Sequence, residues 1–149
     1  LPQNSAELRI YGAADQAPDY MDMLERLAEG RAAYFMGTFA TEKMTQVLRD
    51  LDLLVIPSRW YENSPLVLLN ALATHTPVLV SDVAGMTEFL DVGGNGYAFE
   101  RGNVDDLAQK LDSLVGDKER LYALPVTTRY EKTIDLMAEE TFSIYHTDA

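Results

Sequence analysis

The chain contains no cysteine, which excludes disulfides and thiolate metal sites. It has two histidines, His75 and His146, far apart and without nearby ligand residues. A histidine-based metal site or an imidazole-activated nucleophile is therefore not expected, and the expected metal content is none. Cations are scarce: 12 Lys+Arg stand against 24 Asp+Glu, a formal net charge of -12. Nucleic acid and anionic lipid are poor partners for such a surface, and solvation of a soluble surface accounts for the acidity. No apolar run approaches the length of a membrane span, and the opening residues do not read as a basic-apolar leader. A dinucleotide fingerprint is missing too, because Gly93-Gly94-Asn95-Gly96 precedes an apolar run instead of following one.

What is present is an alternation. With 149 residues and 47% hydrophobic content, the length and composition suit one domain with an ordinary core. Short apolar runs at 8–11, 33–36, 53–56, 78–80 and 97–99 read as strands. Helical spacing lies between them. Pro18 to Ala28 carries Tyr20, Met23, Leu24 and Leu27, with Gly30 as a stop. Thr41 can cap a helix running to Leu48, with Glu42 in its first turn. Residues 86–90 suggest a short helix, 91–96 a turn, and 127–145 a final helix. Residues 104–114 put Leu107, Ala108, Leu111 and Leu114 on one stripe. Strand–helix alternation of this kind predicts an α/β fold: a Rossmann-like parallel sheet with helices on both faces.

The most informative stretch is residues 51–82, LDLLVIPSRWYENSPLVLLNALATHTPVLVSD. The run at 53–56 suits a strand buried on both faces, and Pro57-Ser58 ends it. An aromatic and charged loop follows, from Arg59 through Trp60, Tyr61 and Glu62 to Asn63. Ser64 then reads as an N-cap, with Pro65 at the first helical position. The loop thus falls at the carboxyl end of a strand and the amino end of a helix. Open parallel sheets bind ligands at that edge, and helix amino termini favour phosphate. A phosphosugar suits this arrangement, with phosphate on the helix amides and sugar hydroxyls on Glu62.

Residues PSRWYENSPLVLLNALATHTPVLVSDVAGMTEFL resemble the donor-binding core of glycosyltransferase family 4, retaining enzymes of the GT-B fold. The family pattern is Pro-Ser, a short loop, Glu, a small turn, and an apolar helix carrying a second Glu. After it come Ala, a Gly-x-Pro-Val strand and a Gly-x-x-Glu helix start. The match is colinear from Leu8 to about Leu114, specific in its central part and generic outside it.

The resemblance implies a role for each matching residue. Glu62 would contact the transferred sugar and stabilise charge near the reacting carbon. Asn63, Ser64 and Pro65 form the turn facing the phosphates and sugar. Since Pro65 has no amide, Ser64, Leu66 and Val67 must supply the donors. Asn70 stands where the family has its second Glu, which typically binds both ribose hydroxyls. Asn offers a single acceptor oxygen and two donors without charge, so nucleotide affinity would be lower. Gly37 and Phe39, with Met44 as a neighbour, match the segment that holds the base. Gly85 would let backbone come close to the ligand. Glu88 of the Gly-x-x-Glu reads as a first-turn carboxylate stabilising its own helix. His75 replaces a usual glycine after the helix and is among the few residues that accept a positive φ. Asp50-Leu51-Asp52 imitates a metal-binding motif of another glycosyltransferase fold but reads here as helix-end and strand-entry residues.

Family members begin this domain with a strand and a segment whose Arg and Lys hold the diphosphate, after an upstream acceptor domain. Neither precedes Leu8. The expectation is a partial nucleotide-sugar-binding domain over 1–149, lacking the central strand of a 3-2-1-4-5-6 sheet. Unpaired buried backbone costs about 1–3 kcal/mol per group. Strand 8–11 is therefore expected to slide onto strand 53–56, residues 1–7 to fill the slot, or a second copy to pair across it as a strand-mediated homodimer. The implied function is donor binding for a retaining hexosyltransferase, from a nucleoside diphosphate sugar to a sugar or lipid-linked acceptor bound by the other domain. No cofactor is expected, the fragment alone should be inactive, and the location would be cytoplasmic or at the inner membrane face. The rival reading is a non-catalytic binding module, degenerate at Asn70. Glu62, Ser64 and Asn70 are expected to line one cleft.

Overall fold

The computed structural model describes residues 5–127 and 133–146. Five strands form two parallel sheets. The first joins β1 (Leu8–Tyr11) to β2 (Ala33–Gly37), with Leu8 opposite Ala33. The second has the order β3 (Leu54–Ile56), β4 (Val78–Ser81), β5 (Gly96–Phe99). Helices α1 (Pro18–Ala28), α2 (Met44–Arg49), α3 (Leu66–Ala73), α4 (Ala84–Thr87) and α5 (Val104–Gly116) alternate with them. Two more, α6 (Lys118–Thr127) and α7 (Ile134–His146), follow. The α/β class read from the alternation is the one observed.

The core lies on the three-stranded sheet. Leu68, Ala71 and Leu72 of α3 pack with Val78 and Val80 of β4, Ile56 of β3, Leu48 of α2, and Val83 and Met86. Each fully buried Leu or Val contributes about 1.5–3 kcal/mol. Strand β4 is buried at every position because it has a strand on either side. Strand β3 differs from the expectation: Ile56 is buried, but Leu54 and Val55 are half-buried. Among the described residues β3 pairs with β4 alone and no strand covers its other edge.

Strand β1 does not slide onto β3. It pairs with β2 along Leu8, Arg9, Ile10 and Tyr11, and among the described residues its other edge carries no strand. Residues 5–7 form no strand, and residues 1–4 lie outside those described. The strand order is therefore β2-β1 and β3-β4-β5, with no described strand between β1 and β3.

Several boundaries also move. The segment after β2 is a 3-10 turn, Thr41–Lys43, followed by α2, and no side chain caps either. Helix α4 starts at Ala84, because the Val83 carbonyl accepts the Met86 and Thr87 amides at 2.9 Å each. Glu88 is consequently the C-cap and not a first-turn carboxylate. The final helix begins at Ile134, and residues 128–132 of the expected span lie outside those described. Helix α6 has no counterpart in the sequence reading. It buries Leu121 and Leu124, and Arg120 ties it to β5 by donating to the Tyr97 hydroxyl at 2.7 Å.

Two loop ends are fixed by side chains. Asn103 caps α5 by accepting the Asp106 amide at 3.0 Å. Buried Asn95 accepts the Asp91 amide and donates to the Phe89 carbonyl, each at 2.9 Å. It thereby closes the turn that leads into Gly96. Helix α3 ends with His75 at φ 60, its amide on the Leu72 carbonyl and the Thr76 amide on the Ala71 carbonyl. This is the paired-bond C-terminal cap in which glycine is the usual residue, as the replacement at 75 suggested.

Candidate functional site

The loop from Pro57 to Pro65 leaves the carboxyl end of β3 and enters α3. Glu62 sits within it, half-buried, and its Oε1 accepts the Ser58 hydroxyl at 2.7 Å. A hydrogen bond to an ionised acceptor is short and about twice as strong as a neutral one, so Ser58 fixes the carboxylate. The sequence marks Ser58 as a strand-ending residue and as the Ser of the Pro-Ser motif, and not as a partner of Glu62. Its presence in the same loop as Glu62, four residues away, was the available signal.

Ser64 is not the N-cap. It takes φ 57, in the left-handed region, and Pro65 caps the helix in an extended conformation without a side-chain bond. The Pro65 carbonyl accepts the Leu68 amide at 2.9 Å. The physical reason is the direction the chain must take. Asn63 forms a parallel bridge with Gly85, and a left-handed residue then turns the backbone into α3. Leu66 and Val67 begin the helix, so their amides belong to the first turn, which has no intrahelical acceptor.

Gly85 is held to glycine by the loop itself. A Cβ there would lie 1.8 Å from the Glu62 carbonyl oxygen and 3.2 Å from Asn63 Cα. The close approach anticipated at Gly85 is thus made by the Glu62 loop. Asn70 lies on the exposed part of α3, where its Nδ2 donates to the Leu66 carbonyl at 2.8 Å, leaving Oδ1 as its acceptor. Gly37 ends β2 at φ 67 with open space where a Cβ would be. The Phe39 ring packs edge-on to Tyr11 at 5.3 Å. Gly37 and Phe39 therefore follow the two-stranded sheet, whereas Glu62, Asn63, Ser64, Leu66, Val67, Asn70 and Gly85 belong to the three-stranded one. Met44 packs against the core cluster. Asp50 is the C-cap of α2, and Asp52 is exposed before β3, in line with the structural reading of that triplet.

Beside the loop is a polar cleft of about 240 Å³ lined by Tyr61, Asp82, Glu100 and Arg101. A hollow of about 360 Å³ along α1, from Asp19 to Leu27, is lined by one helix and brings no groups together. No group of three or more His, Asp or Glu side chains among the described residues is arranged to hold a metal. No helix among them is long and apolar enough to cross a membrane.

The family model described as Glycosyl transferases group 1 matches residues 1–117. An uncharacterized glycosyltransferase of Methanocaldococcus jannaschii is 30% identical over 97% of this chain and 38% of its own length. A D-inositol 3-phosphate glycosyltransferase of Nocardia farcinica is 32% identical over 74% of the chain and 24% of its length. The chain thus spans well under half of either relative. Among solved structures, Anabaena HepE in complex with UDP-glucose superposes with a TM-score of 0.76 at 22% identity, over 93% of this chain and 41% of that one. TarM superposes with a TM-score of 0.79 at 23% identity, over 97% and 29%. These likenesses establish the fold. The match over residues 1–117 shows that the chain belongs to the group 1 glycosyltransferase family.

Proposed function

We propose that this chain is the nucleotide-sugar-binding part of a retaining hexosyltransferase. The observation that carries the reading is Glu62, held by Ser58 at the carboxyl end of β3 just ahead of the first amides of α3. A carboxylate next to a helix amino terminus suits a ligand with a positive reacting centre and an anionic leaving group. In the proposed reaction the bond from anomeric carbon to diphosphate breaks, and the diphosphate leaves with the electron pair. The acceptor oxygen bonds that carbon on the same face and passes its proton to an oxygen of the departing diphosphate. Glu62 offsets the positive charge on the sugar, while the Leu66 and Val67 amides offset the charge on the leaving diphosphate. Asn70 Oδ1 accepts a ribose hydroxyl, Gly37 and Phe39 border the base, and Gly85 keeps the loop seated. The donor is a substrate, and no resident cofactor or metal enters this scheme.

The HepE complex with UDP-glucose supports a uridine donor. The acceptor, a carbohydrate or lipid-linked sugar, would bind elsewhere in the protein, at the cytoplasmic face of the membrane. Titration calorimetry with UDP and UDP-glucose tests the reading. Saturable binding that Glu62→Ala weakens is expected for the sugar nucleotide, and no binding of either would overturn it. A second reading, a binding module without turnover, is favoured by Asn70, whose amide is spent on its own helix. Transfer of labelled sugar by the protein carrying this chain would exclude it.

A further inference from the structure

Arg101 connects two loops that leave neighbouring strands at the carboxyl edge of the sheet. It follows β5, and its main-chain N–H donates to Asp82 Oδ1, beyond β4, at 2.7 Å. Its guanidinium carbon lies 4.9 Å from the centre of the Tyr61 ring, in the loop beyond β3. Tyr61 is 80% exposed, so no core packing holds it. The Glu62 loop has two other restraints, the Ser58 bond within it and the Asn63–Gly85 bridge behind it. Neither involves the Tyr61 side chain, which lines the cleft with Asp82, Glu100 and Arg101. A guanidinium on an aromatic face is attracted by the ring's negative centre, and a planar guanidinium stacks over a ring with little loss of freedom. We propose that Arg101 and Tyr61 form a latch that positions Glu62 for the reaction. The proposal rests on Glu62 as the group acting on the donor sugar. Arg101 is thus a positioning residue, anchored through Asp82 and acting through Tyr61.

The test uses Trp60, the one tryptophan of the chain and the neighbour of Tyr61. Time-resolved anisotropy of Trp60 is recorded, with donor turnover, for Arg101→Ala, Arg101→Lys, Tyr61→Leu and Tyr61→Phe in the protein carrying this chain, with any tryptophan outside the chain replaced by phenylalanine. Arg101→Ala and Tyr61→Leu are expected to raise the fast depolarisation of Trp60 and to lower kcat about two- to fivefold. The donor KM should stay near its original value, and the melting temperature should not change. Tyr61→Phe keeps the ring and should restore anisotropy and kcat, whereas Arg101→Lys keeps the cation but not the stacking plane and should restore them in part. Unchanged anisotropy in both truncated variants would overturn the latch. So would conservative variants as impaired as the truncations, or an anisotropy change without a change in kcat. Because the Trp60 signal needs no donor, it separates failure of the latch from failure of the transferase reading, in which the unaltered protein itself turns nothing over.

Discussion

The Ser58 hydroxyl donates to Glu62 Oε1 at 2.7 Å, joining a residue just beyond β3 to the carboxylate four positions later. Ser58→Ala removes this restraint without adding volume. We expect kcat to fall about tenfold, the equivalent of roughly 1.4 kcal/mol for one bond to a charged group, with little change in melting temperature. Ser58→Thr keeps the hydroxyl and should retain most of the activity. Steady-state kinetics beside thermal melts checks both. Equal losses for Ala and Thr would mean that the hydroxyl is not what matters.

Gly85→Ala places a methyl group against the Glu62 carbonyl, which is main chain and cannot swing aside. The loop must move or the start of α4 must. A loss of about 1–3 kcal/mol in unfolding free energy is expected from such overpacking, together with weaker donor binding. Denaturant melts and calorimetry would show it. A variant as stable and as tight-binding as the original would mean that the loop yields freely.

Asn70→Glu replaces a neutral amide, now bonded to the Leu66 carbonyl, by a carboxylate that accepts hydrogen bonds but cannot make that one. If the ribose role is right, UDP binding tightens several-fold, because charge-assisted bonds are stronger than neutral ones. Unchanged or weaker binding in a calorimetric titration would remove Asn70 from the site.

His75→Val puts a β-branched side chain at φ 60, a region such residues avoid. The expected cost is about 1–2 kcal/mol, or roughly 2–8 °C in melting temperature for a domain of this size. His75→Gly, which needs no such strain, should melt above the valine variant.

Among the described residues β3 pairs only with β4, and the Leu54 amide donates toward it, to the Pro77 carbonyl at 2.9 Å. Alternation along the strand turns the Val55 amide the other way. Val55 should therefore exchange its amide hydrogen faster than Leu54 or Leu79. Slow exchange at Val55 would mean that a strand covers this edge in solution. Light scattering at two concentrations would then tell a second copy from another part of the protein.

The fold was legible where periodicity and punctuation agreed. Five strands, α1 with its stop at Gly30, and α5 all follow from apolar spacing and breakers that local physics enforces. Ser64 was misplaced because Ser-Pro is a good helix start in isolation. The bridge between Asn63 and Gly85 is a tertiary demand, and it forces Ser64 to φ 57. The burial of β3 was overstated because a run of Leu, Val and Ile does not report how many strands flank it. The order of Glu62, Asn70 and Gly85 along the chain could be read from the motif. That Tyr61 meets Arg101 could not, since two strands and two helices separate them in sequence.

The turn closed by Asn95 has a consequence for chemical ageing. Asn-Gly is a labile pair in flexible peptides, because the glycine amide nitrogen attacks the asparagine side-chain carbonyl and expels ammonia, and water then opens the cyclic imide to aspartate or isoaspartate. In this fold the Asn95 side chain is 6% exposed, its oxygen and nitrogen each hold a main-chain partner, and Gly96 already belongs to β5. The ring closure needs rotations that these bonds forbid, so Asn95 can age only in molecules whose turn has opened. Isoaspartate at position 95 is accordingly a permanent record of how long a sample has spent with that turn undone.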